Sequence, residues 1–203
     1  MSQFDKDDII NKAIALFNAG QLKKSLKETL SAKKKYPDEP FIYNLLGVLY
    51  SQIGSFDDSI KNYLKAIKLN PKYFEAYNNI GVVYTSWKKI DKAISYFNRA
   101  IQINPSYAEA YNNKGNAFKE KGDYELALES YEKSINLNQN YIDAISNMGI
   151  LYDTMGEFTK AEKYFNKALL LDSCNTALLY NLANCLFNSK NYRQAIEVCQ
   201  KII

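Results

Sequence analysis

The chain has 203 residues, 47% of them hydrophobic and 24% charged, with a net charge of +4 and no histidine. This is a folded composition with enough apolar material for a continuous core, and it excludes nucleophiles paired to imidazole and imidazole metal ligands. No apolar run approaches the roughly 20 residues that span a bilayer, and the acidic start Met1-Ser2-Gln3-Phe4-Asp5-Lys6-Asp7-Asp8 is unlike the basic start of a signal peptide.

A fixed period organises the whole chain. Gly47, Gly81, Gly115 and Gly149 stand 34 residues apart, and Ala13 and Ala183 extend the series at both ends. A period of that size signals a stacked array whose product is an extended surface. In the first window, 6–39, Ile9 and Leu16 hold positions four and eleven, Ser25 position twenty and Thr29 position twenty-four. Lys23, Lys24, Lys27, Lys33, Lys34 and Lys35 crowd its second half, where lysine around a helix is read as solvated surface. The window 40–73 repeats the scheme with Tyr43, Tyr50, Ser59, Tyr63 and Ala66, and 74–107 with Tyr77, Tyr84, Ala93, Phe97 and Ala100. Trp87, just before a turn, is assigned to packing.

Window 108–141 carries Tyr111, Phe118, Ala127, Tyr131 and Ser134, and departs at Lys114, whose stem is expected to pack while its ammonium reaches outward. Window 142–175 carries Ile145, Tyr152, Ala161, Phe165 and Ala168. The last, 176–203, stops about six residues short of a full unit, with Leu179, Leu186, Ala195 and Cys199 in register. Positions 4, 7, 8 and 11 share one helical face, as do 20, 24 and 27, so each window predicts two amphipathic helices and no strand. Gly20, Gly54, Gly122 and Gly156 end first helices; Asn70-Pro71 and Asn104-Pro105 end second ones.

The pattern resembles the tetratricopeptide repeat over nearly the whole chain, best in Phe74 to Tyr107 with Tyr77, Ile80, Gly81, Tyr84, Ala93, Phe97, Ala100 and Pro105 in place. The resemblance implies an all-α fold, a right-handed superhelical solenoid of about six 34-residue helix-turn-helix repeats forming a single array over 1–203. It implies a non-enzymatic scaffold that binds a partner protein or extended peptide in a concave groove. The alternative is the N-terminal substrate-recognition module of a larger glycosyltransferase or sulfotransferase continuing past Ile203.

Asparagine is also periodic. Position six reads Asn11, Leu45, Asn79, Asn113, Asn147 and Asn181; position five adds Asn44, Asn78 and Asn112, and position nine Asn116 and Asn184. Positions 2, 5, 6 and 9 are left over from packing, and in tetratricopeptide superhelices that face lines the groove. A carboxamide suits a peptide bond's C=O and N–H, and the row resembles the asparagine ladder of O-linked N-acetylglucosamine transferase repeats. Hydrogen bonding within the scaffold is the competing reading. Val48, Val82 and Ile150 at position nine supply an apolar floor.

The lysines of a chaperone-type carboxylate clamp are absent. Glu75, Glu109 and Asp143 at position two instead favour a neutral or basic ligand over an acidic one, or simply complement the helix N-terminus. No cofactor, metal, nucleic acid or membrane is expected, and no catalytic residue. Glu120, Asp123, Glu125 and Glu129 read as turn and capping residues. Cys174, Cys185 and Cys199 lack metal spacing and suit a reducing, cytoplasmic setting. Ile196, Cys199, Ile202 and Ile203 have no capping helix after them, which points to continuation or to self-association through that face.

Overall fold

The computed structural model describes residues 3–201. Twelve α-helices and no strand occur among them: α1 Gln3–Asn18, α2 Leu22–Lys35, α3 Pro40–Gln52, α4 Phe56–Leu69, α5 Phe74–Ser86, α6 Ile90–Ile103, α7 Ala108–Lys121, α8 Tyr124–Leu137, α9 Ile142–Thr154, α10 Phe158–Leu171, α11 Thr176–Asn188 and α12 Tyr192–Cys199. First helices from α3 onward start at residues 40, 74, 108, 142 and 176, and second helices at 22, 56, 90, 124, 158 and 192, so the 34-residue period of sequence is the period of structure. The fold is an all-α repeat solenoid. Packing groups the expected array into two compact units, one ending at Pro105 and one beginning at Ser106, each with three helix pairs. None of the described helices is long and apolar enough to cross a membrane.

Within each repeat the two helices meet where a glycine faces an aromatic ring. A methyl group added at Gly47, Gly81, Gly115 or Gly149 would lie no more than 2.8 Å from a ring carbon of Tyr63, Phe97, Tyr131 or Phe165. All four rings are buried. The glycine exists to admit the ring, and the two repeats that lack a ring confirm it: Thr29 and Cys199 occupy its position, and there alanine, Ala13 and Ala183, replaces glycine. In the first two repeats a hydroxyl adds a tie, with Ser25 Oγ donating to the Ala13 carbonyl and Ser59 Oγ to that of Gly47, each at 2.7 Å. The turn between paired helices needs a left-handed residue; Gly122 provides it at φ 86°, whereas Lys88 adopts it at φ 58° in the third repeat.

Gly81→Ala is expected to lower the unfolding free energy by about 2 kcal/mol through overpacking. Combining it with Phe97→Cys, which installs the pairing of the sixth repeat, should cost less than the two single changes added together. Urea unfolding of the four proteins measures that coupling, and strict additivity would refute the shared role of ring and glycine.

Candidate functional site

The faces that the first helices leave over from intra-repeat packing carry the asparagines, and the structure divides these into two kinds. In the first unit Asn79 Nδ2, on α5, donates to Asn44 Oδ1, on α3, at 3.2 Å. In the second unit Asn147 Nδ2, on α9, donates to Asn112 Oδ1, on α7, at 3.0 Å. Asn44 also hydrogen-bonds the hydroxyl of Tyr73, the residue that precedes α5, and Asn112 that of Tyr141, which precedes α9. One Tyr-Asn-Asn node therefore stands at a joint between consecutive repeats in each unit, the two nodes 68 residues apart in sequence.

Burial sorts the remaining candidates. Asn78 and Asn112 are buried, at 0% and 4% exposure, so no ligand reaches them; Asn112 lies in the seam between α7 and α9, where it accepts from Asn147. Asn44, Asn79, Asn113, Asn147 and Asn181 are half-buried and Asn184 is exposed. Asn116 accepts the hydroxyl of buried Tyr131 at 2.7 Å, giving that phenol the partner it needs. Where the ring is a phenylalanine, at Phe97 and Phe165, the residue equivalent to Asn116 is Val82 or Ile150. Val82 is exposed, whereas Val48 and Ile150 are half-buried and pack against core clusters.

Glu75, Glu109 and Asp143 stand in the first turns of α5, α7 and α9, where the helix dipole favours them. Glu75 is half-buried, and exposed Glu109 accepts the Tyr107 hydroxyl at 2.9 Å. They also bear on the nodes. Burial, then Glu75 and Glu39, push the Tyr73 phenol up to about 12; burial, then Glu109 and Asp143, do the same to Tyr141. Lys114 packs as expected, its ammonium 5.5 Å from the Phe118 ring and its pKa lowered by burial, against the pull of Glu129. Lys119, which periodicity did not single out, is likewise lowered by burial, with Glu120 opposing.

The sixth repeat leaves an apolar surface open. Phe187, Tyr192 and Ile196 are 61%, 52% and 60% exposed, with the Phe187 and Tyr192 rings edge to face at 5.3 Å. Inside the array the residues equivalent to Ile196, such as Ile60 and Leu128, contribute to core packing. Ile202 and Ile203, grouped with this surface from the sequence, lie outside the described residues. Cys174 and Cys199 are exposed free thiols, and Cys185 is buried, its thiol pushed up to about 12 by burial and then by Asp153. No cluster of potential metal ligands occurs among the described residues.

Tetratricopeptide repeat families match residues 74–107, 96–129 and 154–203, and a further TPR repeat family matches 49–86 and 115–156, so the matches run without a break from 49 to 203. No curated protein matches the chain. Among solved structures it resembles PilW, a widely conserved type IV pilus biogenesis factor, with a TM-score of 0.86 at 18% identity over 98% of this chain and 91% of that one. It also resembles a thermophilic TPR protein of Thermus thermophilus, with a TM-score of 0.80 at 20% identity over 90% and 99%. For MamA the TM-score is 0.67 at 24% identity over 80% and 89%. These likenesses are of fold.

The node tyrosines predict a pH dependence. Their folded pKa is raised above the ordinary 10.0 to about 12, so the stability they contribute is complete below pH 10 and is lost as pH climbs toward 12. The urea midpoint should fall across that window, and Tyr73→Phe with Tyr141→Phe should remove part of the fall. Parallel curves for the two proteins would contradict the burial of these phenols.

Proposed function

Because the chain belongs to the tetratricopeptide repeat family, we propose that it is a non-catalytic protein-interaction scaffold that holds an extended polypeptide along the first-helix face of each unit. The observation that supports this reading is the state of Asn79 and Asn147. Each spends one N–H on the joint, at 3.2 and 3.0 Å, while its carboxamide retains a second N–H and an oxygen lone pair on a half-buried surface. An amide already oriented by the scaffold loses little freedom on binding, which favours recognition of a peptide backbone. Glu75, Glu109 and Asp143 at the helix starts favour a neutral or basic segment over an acidic one, at about 0.5 kcal/mol per exposed charge. The free thiols suit a cytoplasmic setting.

A random peptide array tests the proposal, because the joint bond can be broken from either side. Asn79→Ala with Asn147→Ala should weaken binding about tenfold, as two lost hydrogen bonds imply. Asn112→Ala breaks the same joint bond at a buried residue no ligand touches but keeps the Asn147 carboxamide, and should weaken binding less than Asn147→Ala does. Equal loss in both variants would return the asparagines to the scaffold alone.

The open apolar surface supports a second contact, between copies of the chain through Phe187, Tyr192 and Ile196. Light scattering should show a mass that rises with concentration, abolished by Phe187→Ser with Ile196→Ser. A constant monomer mass would eliminate this contact.

A further inference from the structure

Charge is unequally divided between the two units. Residues up to Pro105 carry 16 lysines and arginines against 10 carboxylates, whereas those from Ser106 onward carry 10 against 12. The excess lies on the second helices. Beyond their first turns, α2, α4 and α6 hold one carboxylate, Glu28, which is paired to Lys12 at 2.9 Å. The equivalent helix α8 of the second unit carries Glu129 and Glu132 there instead.

Side-chain geometry gathers the cations across helices. Lys33 of α2 and Lys65 of α4 both stand over the ring of Tyr43, on α3, with ammonium groups 5.3 and 5.7 Å from its centroid. Arg99 of α6 repeats the arrangement over Tyr77, on α5, at 6.0 Å, and borders a shallow cleft with Tyr96 and Gln102. Among the described residues Lys33, Lys65 and Arg99 make no ion pair. Asp38, the carboxylate felt by the Tyr43 hydroxyl, belongs to the α2–α3 turn, where that hydroxyl donates to the Pro37 carbonyl at 2.8 Å. Lys27, Lys61 and Lys68 are exposed on the same three-helix set.

We propose that this cationic face of α2, α4 and α6 docks an acidic polypeptide segment. Two like charges drawn onto one ring repel each other, and an incoming carboxylate relieves that repulsion where solvent alone screens it. Polypeptide is favoured over nucleic acid because Tyr43, the ring beneath two of the cations, is only 6% exposed and so presents no platform for stacked bases. The excess charge of this unit is also small for a surface that tracks phosphates. This surface is separate from the first-helix face and has the opposite charge preference, so the scaffold holds two chemically distinct segments.

Fluorescence anisotropy of labelled polyglutamate with the full chain tests the proposal. Lys33→Gln, Lys65→Gln and Arg99→Gln together should weaken binding about tenfold, and added salt should weaken the wild type. Lys133→Gln, Lys163→Gln and Lys167→Gln, an equal charge change on α8 and α10, should alter it less than about twofold, in keeping with a surface outside the site. If removing the ring-borne cations unfolds the chain, judged by circular dichroism, the exposed triple Lys27→Gln, Lys61→Gln and Lys68→Gln should give the same loss. Equal loss in the control, no binding of polyglutamate, or tighter binding of labelled single-stranded DNA would each overturn the proposal.

Discussion

The contact between a glycine of the first helix and an aromatic ring of the second is the constraint on which the rest of this structure depends. A ring pressed against bare backbone brings the two helices of a repeat together more closely than any side chain on the first helix would allow. Because the same contact recurs every 34 residues in the four inner repeats, these share one internal geometry, and within each unit consecutive repeats stack in a constant register. The terminal repeats change both positions together, to Ala13 with Thr29, which is buried, and to Ala183 with Cys199, which is exposed.

Constant register places polar groups as dependably as apolar ones. Position five of one repeat meets position six of the next, so Asn44 and Asn79 in one unit, and Asn112 and Asn147 in the other, form the same hydrogen-bonded node with a tyrosine from the intervening loop. A buried polar node tolerates only the register that satisfies it, so it specifies the joint more than it strengthens it. The same bond leaves each of Asn79 and Asn147 a second N–H and an oxygen lone pair, so that in the proposed reading a scaffold role and a recognition role meet in one residue.

Much of the candidate site was legible because helical period identifies which positions an isolated helix withholds from its own partner. That logic found Asn79, Asn147, Val82 and the acidic residues of the first turns, all of which are at least partly accessible. It failed for Asn78 and Asn112, which are both buried: Asn112 is turned away from its own repeat and toward α9, and period alone does not say how much of such a face is covered. It placed Asn116 among the groove residues without its bond to the buried phenol of Tyr131; no pairing in the sequence announced that bond, since Tyr63, the other tyrosine at that position, is matched by Val48. Lys33 and Lys65 read as scattered surface charge until two helices from different repeats brought them over one ring.

The sequence by itself determined the repeat, its 34-residue period, the two helices of each unit and the small-to-large complementarity between them. These follow from local rules, since helix propensity, turn residues and the volume at two facing positions act within a single window. Only the tertiary structure decided which asparagines are sealed in joints, which cations converge, and that the repeats group into compact units on either side of Pro105 and Ser106. Those properties belong to contacts between repeats, where a residue's environment is set by a partner outside its own window, as Asn44 is by Asn79 and Asn112 by Asn147, each 35 positions away.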